Sequence, residues 1–145
     1  MITKHLNLFK YLNDAKVDYL LVGGVAAIIY GVPRSTQDID IVIKPELENA
    51  KRLLEALKQF GFGTAELTSP DEIIANEITI FKDFLRLDVL TKLKLFSFEE
   101  VFSNHEVIEA EHILIPLISN KDLIEEKKAA GRNIDQEDLK VLLKS

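Results

Sequence analysis

The chain has no cysteine, so it holds neither a disulfide framework nor a thiolate zinc site. Three scattered histidines, His5, His105 and His112, make a poor metal cage, and each reads as a surface or strand residue without a partner at catalytic spacing. A long hydrophobic run is also missing. The longest, residues 19–33, is interrupted by Gly23, Gly24 and Gly31 and falls short of the ~20 residues that span a bilayer. The first fourteen residues mix polar and apolar side chains at helical spacing, without the apolar block of a signal peptide. A soluble, cytoplasmic protein without a membrane partner is expected. Basic stripes are lacking too: the net charge is −6, and the acidic excess is concentrated between residues 45 and 116. Non-specific grip on long nucleic acid, which needs many Lys and Arg contacts, is therefore disfavoured.

What is present is a core. At 145 residues and 47% hydrophobic content the chain fits a single domain, residues 1–145, with no repeat or linker in it. Residues 3–13 read as a helix and 17–22 as a short buried strand. Gly23-Gly24 then makes a tight turn into a small-residue helix over 25–30, stopped by Gly31 and Pro33. Residues 38–44 form the next strand. Pro45 opens a helix with one apolar stripe, closed by Gly61. The stretch EITIFKDFLRLDVL alternates around Lys82-Asp83 and predicts a hairpin with a two-residue turn. A short helix near 97–102 and strands near 106–108 and 112–115 follow. Ser119 caps a helix over 120–130, Gly131 ends it, and Asp135 caps a last helix through Leu143. Residues 61–80 offer no readable motif.

Two aspartates stand out within the most strand-like run. Asp38 and Asp40 share one strand face, with α-carbons ~6.5 Å apart, and without a cation they repel each other. Asp88 occupies a second strand centre. If its strand pairs beside the first, three carboxylates meet on one sheet face, the donor set that two magnesium ions require for phosphoryl or nucleotidyl transfer. Taken alone, Asp88 has as its lesser alternative an edge-strand acid paired with Arg86 or Lys92. The Gly23-Gly24 turn brings backbone close to a ligand and opens a helix whose amides suit a phosphate. Arg34, Ser35 and Thr36 precede the acid strand. They either contact phosphate and orient Asp38, or form a surface loop with a local Thr36 bond. Lys121, Lys127, Lys128 and Arg132 either face a nucleotide or form an interhelical network with Asp135 and Asp138.

LLVGGVAAIIYGVPRSTQDIDIVI resembles the signature of the polymerase-β-type nucleotidyltransferase superfamily, in which a hydrophobic strand, Gly-Gly or Gly-Ser and a helix precede Asp-x-Asp on the next strand. The tail from Leu117 to Leu143 is similar to that of small stand-alone members related to abortive-infection toxins. The resemblance implies an α+β fold: a small mixed twisted sheet with helices packed on one face and a C-terminal helical pair. It further implies that Gly23 and Gly24 bind the triphosphate. Asp38 and Asp40 would ligate two Mg2+ (or Mn2+) ions, and Asp88 would ligate the catalytic ion and help activate the acceptor hydroxyl. Arg34, Ser35 and Thr36 would adjoin the nucleotide. The expected reaction moves a nucleoside monophosphate from a nucleoside triphosphate to a hydroxyl of an RNA end, a protein or a small molecule. A protein partner or a second copy would complete the acceptor site. The alternative is a catalytically silent nucleotide- or partner-binding module, such as a toxin–antitoxin component. A sheet-based RNA-binding domain is disfavoured because the hairpin mostly lacks the exposed aromatics and basic residues it needs.

Overall fold

A computed structural model describes residues 3–144. Six strands form one mixed sheet: β1 (Tyr19–Val22), β2 (Asp38–Ile43), β3 (Ile78–Lys82), β4 (Arg86–Leu90), β5 (Glu106–Ala110) and β6 (Ile113–Leu117), in the order β3-β4-β2-β1-β6-β5. β2 pairs antiparallel with β1 and parallel with β4, and β6 runs parallel to β1. The helices are α1 (Thr3–Asp14), α2 (Gly23–Ile29), α3 (Leu47–Phe60), α4 (Pro70–Ala75), α5 (Phe98–Phe102), α6 (Asn120–Ala130) and α7 (Asn133–Leu142). The architecture is the mixed α+β one expected, closed by the α6–α7 pair.

The period-two pattern of β2 explains its place. Ile39, Ile41 and Ile43 are fully buried on the face away from the acids and join one core with Leu8, Phe9 and Leu12 of α1 and Leu53 and Leu57 of α3. Each such side chain contributes ~1.5–3 kcal/mol on leaving water. The wholly buried Asn49 ties α3 to the sheet. Its amide donates to the carbonyls of Asp18 and Lys44 at 3.0 and 2.9 Å and accepts from the Asp18 N–H at 2.8 Å. α3 ends at Gly61, whose φ of 111° is the left-handed conformation that favours glycine.

Several expectations need correction. The hairpin loop is Asp83-Phe84-Leu85 rather than Lys82-Asp83, because Lys82 pairs with Arg86 and the Asp83 N–H donates to the Leu85 carbonyl. Phe84 thereby leaves the strand and joins Phe60 and Phe62 in an aromatic cluster. Asp135 lies inside the first turn of α7. It still satisfies an orphan amide by accepting from the Arg132 N–H at 3.1 Å. His5 is buried within α1, and burial lowers its pKa. Residues 61–80 hold a 3₁₀ turn (Gly63–Leu67) and α4, which Ser69 caps by accepting from the Glu72 N–H. Among the described residues no helix is long and apolar enough to cross a membrane.

Candidate active site

The register of β2 and β4 sets Asp40 directly beside Asp88 and Asp38 beside Arg86. All three acids therefore lie on one face of adjacent parallel strands, as their alternation requires. Their surroundings differ: Asp38 is exposed, Asp40 half-buried and Asp88 buried. Burial and the neighbouring Asp88 charge push the Asp40 carboxyl up to about 6, opposed by the Gly24 amide, which favours the ionised form. Asp88 is bound by Arg86, whose Nε and Nη2 donate to its two oxygens at 2.8 and 3.2 Å. Pairing with Arg86 is thus realised together with the shared face.

Gly23 closes the site from β1. Its φ is +67°, and a Cβ there would overlap the Asp40 carboxylate. Glycine is required both for the left-handed backbone and for the close approach of β1 to the acid. Gly23→Ala is expected to cost ~2–3 kcal/mol of stability by urea unfolding and to displace Asp40. Gly31→Ala is the control, since Gly31 also has a positive φ but has nothing within 4 Å of a new Cβ. A comparable loss in both variants would show that crowding against Asp40 contributes nothing.

The β1–β2 connection converges on the same turn. A Cβ at Gly24 would lie 3.4 Å from both the Arg34 guanidinium and the Thr36 methyl. Thr36 Oγ1 accepts from the Asp38 N–H at 3.2 Å, a local bond that shapes the entry into β2. Ser35 is exposed and makes no hydrogen bond among the described residues. Arg34 forks onto Asp138 of α7, with Nε and Nη2 at 3.2 and 2.8 Å from its two oxygens.

The C-terminal pair supplies the opposite wall. Lys127 lies 2.8 Å from Asp138 and 3.4 Å from Asp135, while Arg132 donates to Asp135 at 2.7 and 3.1 Å. Lys127, Asp135 and Asp138 are all buried. Burial alone would raise the pKa of both aspartates, but the cations outweigh it and hold both below the ordinary carboxylate range. Lys127 and Arg132 thus form the interhelical network, whereas Lys128 pairs with Glu125 on the surface. Between this wall and the sheet lies a cleft of about 440 Å³, lined by Gly23, Asp40 and Asp88 on one side and Glu126, Lys127 and Arg132 on the other.

Glu126 was not legible as a site residue. Its carboxylate accepts three backbone N–H bonds, from Lys94, Leu95 and Phe96, each at 2.8 Å, and so clamps the segment after β4 to α6. In sequence it is one acid among many on an amphipathic helix, and no spacing distinguishes it.

The acids are hard oxygen donors on one face, which is the chemistry a magnesium ion takes. In this conformation no three His, Cys, Asp or Glu side chains converge as a metal-binding group among the described residues, and Asp88 is turned to Arg86.

The mixed sheet carrying Asp-x-Asp beside a third acid, with a glycine turn against it, matches a nucleotidyltransferase-like fold. A crystal structure from Thermotoga maritima, a nucleotidyltransferase by provisional assignment, superposes with a TM-score of 0.59 over 99% of this chain and 96% of its own. At 15% identity that likeness establishes the fold alone. The chain belongs to the family described as nucleotidyltransferase of unknown function (DUF6036), whose model matches residues 1–143. No curated protein matches it.

Proposed function

We propose that the protein transfers a nucleoside monophosphate from a nucleoside triphosphate to an acceptor hydroxyl. The observation that carries this reading is the register of Asp40 beside Asp88 on parallel strands, with Gly23 packed against Asp40. Asp38 and Asp40 would hold magnesium, or manganese, with Asp88 completing the set. When bound, magnesium neutralises triphosphate charge and orients the phosphates. Gly23 and Gly24 bring the backbone of the α2 start close to those phosphates, with Arg34 and Thr36 behind the turn and Ser35 beside it. The acceptor oxygen attacks the α-phosphorus, and its bond to the bridging oxygen breaks. Pyrophosphate leaves with the electron pair, while the hydroxyl proton passes to the Asp88 carboxylate. For that, Arg86 must release Asp88. Positioning and charge neutralisation supply the rate, so no nucleophilic side chain is needed.

The same reading takes the protein to be cytoplasmic, in keeping with its lack of cysteine, and related to the abortive-infection toxins through the tail that carries Lys127, Arg132, Asp135 and Asp138. The acceptor is an RNA end, a protein or a small molecule, with a partner chain or second copy helping to bind it. The silent alternative, a nucleotide- or partner-binding module, draws on the Arg86–Asp88 pair, which leaves the third acid engaged.

The test is transfer of label from four α-labelled nucleoside triphosphates into a cell extract with magnesium or manganese. Label in RNA or protein that disappears in an Asp38→Ala, Asp40→Ala double variant is the expected result. Metal-dependent nucleotide binding without any transfer would favour the silent module instead.

A further inference from the structure

Besides Asp40 and Asp88 the cleft has an aliphatic lining of Val22, Leu90, Leu93, Ile118 and Leu123. No aromatic ring lines it, so a base entering there is sandwiched by aliphatic groups rather than stacked. Discrimination between bases then falls to polar groups at their edges. Nearly all polar side chains of the lining are engaged. Asp88 is bound by Arg86, Asp40 interacts with Asp88, and Lys127 and Arg132 are paired with the α7 aspartates. Glu126 is occupied by three amides, and by the same bonds it removes the Lys94, Leu95 and Phe96 N–H groups from any ligand.

One polar side chain of the lining is left over. Lys94 is exposed, lines the cleft, and its side chain makes no hydrogen bond or close ion pair among the described residues, its charge acting only at longer range on Glu77, which Lys92 already holds. Its backbone is held by Glu126, so the ammonium is offered from a fixed segment rather than a loose one. We infer that Lys94 reads the edge of the nucleobase and selects guanine and uracil over adenine and cytosine.

The reason is donor and acceptor matching. An ammonium has three donors and no acceptor. Guanine presents O6 and uracil O4, both acceptors, while N7 is common to the two purines and does not tell them apart. Adenine and cytosine place an amino donor where those carbonyl oxygens stand, so the lysine meets a donor with a donor. The inference rests on the nucleotidyl-transfer reading, because it takes the triphosphate to lie at Gly23 and Asp40 and leaves the aliphatic lining to the base.

The experiment is equilibrium binding of GTP, UTP, ATP and CTP with magnesium to the wild-type chain, Lys94→Met and Asp40→Ala, which needs no acceptor. Wild-type protein is expected to bind GTP and UTP about tenfold more tightly than ATP and CTP, the worth of one charge-assisted bond at an exposed position. Lys94→Met is expected to bind all four at the weaker level, with an unchanged melting temperature. Equal affinities in the wild type, or a preference that survives in Lys94→Met, overturn the inference. So does uniform weakening of all four nucleotides, which would put Lys94 on the phosphates. Binding that is indifferent to Asp40→Ala, or absent for all four, would instead sink the parent reading of the site, and this inference with it.

Discussion

Replacing Lys127 by methionine is expected to lower the stability of the fold by ~3–5 kcal/mol, on the order of 10 °C in melting temperature. The lysine is only 6% exposed and sits between two aspartates that are 1% and 2% exposed. Methionine fills much of its volume but leaves two buried carboxylates with one cation fewer, and an uncompensated buried charge is far costlier than a missing surface pair. The pH dependence follows with a definite sign. Asp135 and Asp138 have folded pKa values below their unfolded ones, so their contribution is complete above an unfolded value near ~3.9 and is lost as pH falls through the folded values. Removing Lys127 reduces those downward shifts. The gap between wild type and Lys127→Met, read by urea unfolding, should therefore be widest near neutrality and close below about pH 4. A gap independent of pH would mean that the lysine acts through packing alone.

Asp40→Asn should separate function from stability in the opposite sense. On the proposed nucleotidyl-transfer reading, loss of the Asp40 carboxylate is expected to reduce transfer by about 10³-fold or more, yet the metal-free protein should become more stable. The Asp40 carboxyl is raised to about 6, chiefly by burial and then by the Asp88 charge. A carboxyl raised on folding makes the folded state the tighter proton binder. Its ionisation destabilises the fold as pH climbs from ~4 to about 6 and continues to do so above. The isosteric amide removes that cost, which is on the order of 2–3 kcal/mol at pH 7.5 and vanishes toward pH 4. Magnesium with a nucleoside triphosphate should raise the melting temperature of the wild type and leave that of Asp40→Asn unmoved. An Asn variant that is less stable than wild type at pH 7.5 would show that the carboxylate makes compensating bonds in the resting fold.

The parts of this molecule that could be read in advance are those whose signal is local. Alternation placed Ile39 and Ile41 opposite Asp38 and Asp40, and the small turn residues marked the junctions at Gly23, Gly61 and Gly131. Asp88 stood out because an acid at a strand centre needs a partner. Its pairing with Arg86 was legible as an alternative, but the depth of its burial was not, since that depends on the place of β4 between β3 and β2, which long-range pairing sets. The α4 start was legible in principle: Ser69-Pro70-Asp71-Glu72 combines a capping serine with proline at the first helical position. It passed unread because α4 is only six residues long and carries too little periodicity. Arg34 and Glu126 belong to a different category. One grips a residue 104 positions away and the other amides some 30 positions back, and no pattern within a single element encodes either bond.

The Arg34–Asp138 fork has a consequence for the order in which the protein is made. Gly23, Asp38, Asp40 and Asp88 emerge from the ribosome well before α7, yet the wall that faces them is fastened only when Asp138 reaches back to Arg34. A nascent chain can pair β2 with β4 before α7 exists, but its cleft stays open until Asp138 has been made. A chain interrupted before α7 therefore carries the acids without the wall that Asp138 fastens to Arg34.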